Sequence, residues 1–188
     1  MRQADQPARI PPVNPERVSA VIGRLFTEIR AKFSLVPNIF RVLANAPVAL
    51  EGFMTLGAAL ARGALDERTR EQLALAIASS NLCAYCLSAH TAVAAKIGLT
   101  QVEIGDAIRA RAADARTDAI LKLARSIVVQ RGELSDADLA RARAGGLSDG
   151  EIVETVANVI LNIFENYMSH LARVPIDFAQ RETDETSG

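Results

Sequence analysis

Apolar positions along this chain recur every three to four residues, and no stretch of useful length alternates apolar with polar. Val18, Val21, Ile22, Leu25, Ile29 and Phe33 fall near helical spacing and predict a first helix from about Pro15 to Phe33. Pro37 opens a short helix toward Ala46, and Pro47 opens another that ends near Gly63; proline suits a helix's first turn, where its missing N–H costs nothing. Asp66 is the expected N-cap of a helix running to about Ser80. The next helix starts near Cys83 and stops before Gly98. Thr100 with Glu103, and Ser148 with Glu151, have the spacing of capping boxes. Thr117 and Ser135 are weaker starts for two more helices, and the last long helix runs from about Ser148 to Arg173, ahead of Pro175. The predicted fold class is all-α.

Residues 1–15 carry four prolines and read as an extended N-terminal arm, loose or wrapped on a neighbouring subunit. Residues 16–178 form one helical domain, and the stretch 179–188 is a polar tail. Alanine, leucine, arginine and glutamate, all strong helix formers, dominate the body of the chain.

Composition narrows the function classes. The chain has 188 residues, enough for a real core. With 49% hydrophobic and 23% charged residues it is globular. A net charge of −1 and 4% aromatics give no electrostatic case for nucleic acid or an anionic membrane. No apolar run approaches the roughly 20 residues that span a bilayer, and the N-terminus lacks the apolar core of a secretory signal. Those two features predict a cytoplasmic, reducing location, where a Cys-x-x-Cys pair is more often catalytic, redox-sensing or metal-binding than a structural staple.

That pair is the densest chemistry in the chain. Cys83 and Cys86 are its only two cysteines, and His90, one of two histidines, follows four positions later. On a helix the three positions share a face, so a thiol pair and an imidazole line one pocket. Glu71 lies twelve residues before Cys83. A single straight helix would hold Glu71 about 22 Å from Cys86 at about 1.5 Å per residue, too far for proton transfer. A break at Ser79-Ser80-Asn81-Leu82 folds Glu71 back over the next helix. The same break leaves both cysteines in a helix's first turn, where free N–H groups and the helix dipole favour a thiolate. Cys86, one turn from His90, is then the attacking thiol and Cys83 the resolving one. His90 and Glu71 form a proton relay that takes the thiol proton and returns one to the leaving oxygen.

Two blander readings compete. The pair can be buried and inert, or it can hold structural zinc, which wants four ligands where only Cys83, Cys86, His90 and Glu71 lie nearby. Haem attachment needs histidine directly after the second cysteine, and Leu87 sits there.

The run Glu71, Cys83-Ala84-Tyr85-Cys86, His90 resembles the alkylhydroperoxidase D (AhpD) core of the carboxymuconolactone decarboxylase-like superfamily, whose pattern is Glu, eleven residues, Cys-x-x-Cys, three residues, His. The resemblance covers about Val48 to Ile97. The stretch Asn162 to His170 looks like the peroxidase-related branch. The resemblance implies an AhpD-like helical fold with the cysteine pair at the N-terminus of a core helix. It implies a thiol-dependent (alkyl hydro)peroxidase or disulfide reductase with Cys86 peroxidatic, Cys83 resolving, and Glu71 and His90 relaying the proton. It also implies homo-oligomers, trimers or hexamers, and no flavin, haem or metal. An external dithiol, thioredoxin-like or lipoyl, is the expected reductant. Well-studied AhpD proteins carry histidine between the cysteines, whereas this chain has Tyr85. Decarboxylase members lack the cysteine pair. The alternative function is a redox-sensing or partner-binding protein without peroxide turnover.

Tyr85 and His170 are secondary candidates. His170, beside Tyr167 and Glu165, either faces the same pocket or a subunit interface, or is hydrogen-bonded at a packing surface. Asn158, Asn162 and Asn166 repeat at four-residue spacing and either bridge helices or face solvent. Phe33, Phe40, Phe53 and Phe164 are expected in the core or an interface, and Arg109-Ala110-Arg111 at a solvated helix end.

Overall fold

A computed structural model describes residues 7–178, and all regular structure among them is helical. In chain order the helices are α1 (Ala20–Phe33), α2 (Asn38–Leu43), α3 (Pro47–Leu60), α4 (Glu67–Ser80), α5 (Ala84–Lys96), α6 (Gln101–Ile108), α7 (Ala115–Gln130), α8 (Asp136–Ala144) and α9 (Asp149–Ala172). The all-α class read from the periodicity is the observed one.

Apart from α2 and α3, whose first turns follow Pro37 and Ala46, the described helices start behind side chains that accept from free N–H groups. Asp66 accepts from Thr69 N–H, and Thr100 and Ser148 form complete capping boxes with Glu103 and Glu151. Ser135 does the same with Asp138. Two starts differ from expectation. The first helix begins at Ala20 rather than Pro15, because the Ser19 hydroxyl caps Ile22 N–H. The seventh begins at Ala115 rather than near Thr117, because Asp114 is the cap and Thr117 the residue it serves. α3 closes at Leu60, short of Gly63.

The core has two parts. One is built on α4, α6, α7, α8 and the first half of α9, with Leu73, Leu75, Ile77, Ile120 and Leu121 fully buried. The other gathers α1, α2, α3, α5 and the second half of α9 around Phe26, Ile39, Leu50 and both cysteines. α4 joins them. It packs against α5, α6, α7 and α9, and residues Leu73 to Ala78 are all buried, so it has no solvent face along that run.

The segment before α1 lies on its own chain. Arg9 N–H donates to Ala172 C=O at 2.8 Å, and Val13 N–H to Arg41 C=O at 3.1 Å. Residues 1–6 of the expected arm and the whole expected tail, 179–188, fall outside the described residues. No described helix is long and apolar enough to cross a membrane.

Candidate active site

One tight reversal builds the site. α4 ends at Ser80, and Leu82 takes a left-handed backbone at φ +54°. Cys83 N–H then donates back to Ala78 C=O at 2.9 Å, the wide bond of a Schellman-type helix end. Cys83 immediately caps α5: its Sγ accepts from Cys86 N–H at 3.3 Å. The reversal falls within the predicted break, and it lays α5 directly against α4.

Both cysteines are free thiols, 1% and 0% exposed. Their sulfurs are 2.6 Å apart, in direct hydrogen-bond contact. That bond, countered by burial and aided by Cys86 N–H, lowers the Cys83 thiol to about 7. Ser169 and His170 add smaller stabilising contributions. Cys86 is raised, first by its hydrogen bond with Cys83, then by burial and by the negative charge of Glu165. In the resting dithiol the first negative charge therefore rests on Cys83.

The expected relay pair is assembled. His90 Nδ1 and Glu71 Oε1 are 2.7 Å apart, linking α5 to α4. The partner of Nε2 is not a thiol: among the described residues Nε2 is buried without a hydrogen bond, and Glu165 Oε2 stands 3.7 Å away. Burial opposes charge on His90, but Glu71 and Glu165 outweigh it and hold the ring well above its ordinary pKa. The resting ring is an imidazolium, an acid rather than a base.

Tyr85 is buried, and its hydroxyl accepts from Ile39 N–H at 3.2 Å. Burial, then the Asp177 carboxylate, push its ionisation far above the ordinary phenol range, so it stays neutral. His170 lies at the reversal, donating from Nε2 to Asn81 C=O at 3.0 Å. Asn81 Nδ2 in turn donates to Asn166 Oδ1 at 2.8 Å. His170 thus buttresses the turn that carries Cys83.

Beside these groups lies a cavity of about 340 Å³. Phe33, Phe40, Phe53, Met54 and Leu161 give it an apolar wall, and Glu71, Tyr85, His90 and Glu165 supply polar groups. Its lining phenylalanines are in mutual contact, Phe33 to Phe40 at 5.6 Å and Phe40 to Phe53 at 6.0 Å between centroids, and Phe164 backs Phe53 at 5.9 Å. Neither cysteine reaches the cavity wall; Tyr85 and Ala89 on either side of Cys86 do.

The asparagine repeat is buried, not solvated. Asn158 and Asn162 donate to carbonyls of their own helix, Glu154 and Asn158, each at 2.9 Å. Only Asn166 bonds across helices. Sequence reasoning missed Glu165 as a neighbour of His90. Its signal was a polar residue on a helical face shared with Asn158, Asn162 and Ser169, all of them buried. Among the described residues no group of three or more His, Cys, Asp and Glu side chains is arranged to hold a metal ion.

Residues 47–128 match the profile of the carboxymuconolactone decarboxylase family. That segment is similar to the carboxymuconolactone decarboxylase family, and the chain has the AhpD-like helical fold. Over 110 residues the chain is 30% identical to an alkyl hydroperoxide reductase of Mycobacterium tuberculosis, covering 58% of this chain and 31% of that protein. The chain therefore spans about a third of that curated relative. The AhpD core of a peroxidase-related protein from Ralstonia eutropha superposes with a TM-score of 0.80 at 24% identity, covering 90% of this chain and 92% of that one. The debrominase Bmp8, solved with 2,3,4-tribromopyrrole, superposes with a TM-score of 0.78 at 15% identity, over 92% of this chain and 93% of its own. At those identities the two structures share the AhpD-like fold.

Proposed function

We propose that this protein is a thiol-dependent peroxidase of the AhpD type, cycling Cys83 and Cys86 between dithiol and disulfide. The observation that carries the reading is the 2.6 Å contact between two buried thiols in the first turn of α5, next to an ion-paired Glu71 and His90. Cys86 is the attacking sulfur. Its sulfur lies 2.6 Å from Cys83 Sγ, the thiol of lower pKa, so its proton moves to the Cys83 thiolate as Cys86 attacks the terminal peroxide oxygen. The O–O bond breaks, and His90 imidazolium protonates the departing alkoxide. Cys86 is left as a sulfenic acid and the organic product leaves as an alcohol. The Cys83 thiol then attacks the Cys86 sulfur and expels water, closing the disulfide. An external dithiol, thioredoxin-like or lipoyl, returns two electrons. The sequence-based role for His90 changes in one respect: it starts as the acid, and Cys83 is the first proton acceptor.

Stopped-flow mixing of the reduced protein with an organic hydroperoxide tests this. The expected result is loss of both thiols with one equivalent of peroxide, far faster than free cysteine reacts. Reaction no faster than free cysteine would remove the peroxidase reading.

A second reading, reductive dehalogenation, draws on the aromatic-walled cavity and the fold shared with Bmp8. The same two thiols supply the two electrons that replace a carbon–bromine bond by carbon–hydrogen, with bromide leaving. Bromide release from a bromopyrrole in place of peroxide consumption selects it.

We further propose that the chain works as a homo-oligomer, supported by the apolar surface α9 leaves uncovered, with Val153, Ile160, Tyr167 and Leu171 more than half exposed.

A further inference from the structure

Among the described residues, the Glu71–His90 pair leaves one ring nitrogen without a hydrogen-bond partner. Nε2 is buried and unbonded, and the group facing it is a carboxylate from another helix, Glu165 Oε2 at 3.7 Å. That separation is too long for a hydrogen bond and short enough for a strong ion pair. Glu165 is 9% exposed, and α5 and α9, which carry the two groups, pack directly together.

We propose that Glu165 is the second carboxylate of the relay, a positioning residue that clamps His90 as imidazolium from the side opposite Glu71. The clamp follows from the site's geometry; its use, protonating the leaving oxygen, rests on the thiol-peroxidase reading above.

The charges around His90 support this division of labour. The other ionic groups on the cavity are Glu28 and Lys32 from α1 and Glu67 and Arg70 from α4. Two acids and two bases cancel in sum. Tyr85, on α5 itself, is neutral, and Asp177, from the segment after α9, bears on Tyr85. Among the described residues, Glu71 and Glu165 are thus the uncompensated charges that hold a partly buried imidazolium in place. Glu165 also raises the Cys86 thiol. One residue thereby acts on both the acid and the attacking sulfur, adding to Glu71 at His90 and to Cys83 and burial at Cys86.

The test is a histidine titration, followed by NMR on full-length reduced protein with labelled imidazole nitrogens. The chain has only two histidines, and a His170→Gln variant assigns the signals. Glu165→Gln keeps the shape and removes the charge. The expected result is a His90 midpoint lower by about one pH unit or more, as losing a nearby opposite charge requires. An unmoved midpoint overturns the clamp. If Glu165→Gln does not fold, Glu165→Asp carries the test: the charge retreats by one methylene, so the midpoint falls by less, and an unmoved midpoint again overturns the proposal. Peroxide turnover against pH separates the two readings. A downward shift of its alkaline limb in Glu165→Gln supports both. A shifted His90 midpoint in a protein that turns over no peroxide keeps the clamp and removes the peroxidase.

Discussion

At the scale of single residues, the two cysteines are unequal before any substrate arrives. Cys83 Sγ accepts from the N–H of Cys86 and lies 2.6 Å from its sulfur, so charge settles there with a pKa of about 7. Alkylation of the reduced protein by iodoacetamide is expected to rise through about pH 7 and to label Cys83 first. Cys86→Ala removes the sulfur paired with Cys83, so the midpoint moves up toward the ordinary cysteine value of roughly 8.5. A midpoint unchanged in Cys86→Ala would show that the sulfur pair is not what lowers it. The sign for stability follows from the same shift. A folded pKa below the unfolded one gives stability that is fully present above the unfolded value and fades as pH drops through about 7. The roles in turnover are a separate question. Cys86→Ser is expected to abolish turnover, whereas Cys83→Ser consumes one equivalent of peroxide and stops as a sulfenic acid, trapped by dimedone and seen by mass. Full turnover in Cys86→Ser would reverse the assignment.

At the scale of elements, the α4–α5 reversal is where sequence becomes site. Its stability rests on a few local and non-local bonds with opposite consequences for mutation. Leu82 is 84% exposed and left-handed, a conformation costing a non-glycine residue roughly 1–2 kcal/mol. Leu82→Gly therefore leaves stability unchanged or raises it by up to about 1 kcal/mol, the backbone entropy of glycine offsetting part of the relief. His170→Ala removes the donor to Asn81 C=O and is expected to cost about 1 kcal/mol. Urea denaturation of both variants checks the pair, and a His170→Ala midpoint equal to wild type would deny His170 its buttressing role. The reversal also shows what was legible beforehand. Helix caps such as Asp66, Thr100, Ser135 and Ser148 could be read directly, because a cap is chemistry among four neighbouring residues. Glu71 and His90 could be read once the chain was required to turn back near Asn81. The errors at α1 and α7 arose where two local signals compete: Pro15 against Ser19, and Thr117 against Asp114. Glu165 could not be assigned to His90, because nothing local links α9 to α5. Their meeting is set by packing of the second core around Cys86 and Phe26.

At the scale of the whole molecule, α9 has two incompatible faces. One buries Thr155, Asn158, Asn162, Glu165 and Asn166 against the chain's own core and site. The other carries Val153, Val156, Ile160, Tyr167 and Leu171, spaced by three, four, seven and four residues along the helix, and all of them are exposed. A lone apolar residue on a surface means little; a helical stripe of them is the mark of an interface. Because the stripe lies on the helix that holds Glu165 and Asn166, a neighbouring copy seated there would stiffen the face that supports the thiols. The expected mass in sedimentation velocity is three or six times the 20.1 kDa of the chain. Ile160→Glu, placed mid-stripe and away from the relay, buries a charge in that contact and is expected to shift the protein to single chains at micromolar concentration. Its helicity should persist, since Ile160 is 54% exposed within one chain. Wild-type protein sedimenting as a single chain would remove the oligomer proposal, and an Ile160→Glu mass equal to a multimeric wild type would move the interface off this stripe. Slower peroxide turnover in a dissociated, folded Ile160→Glu would show that assembly supports the chemistry rather than merely storing it.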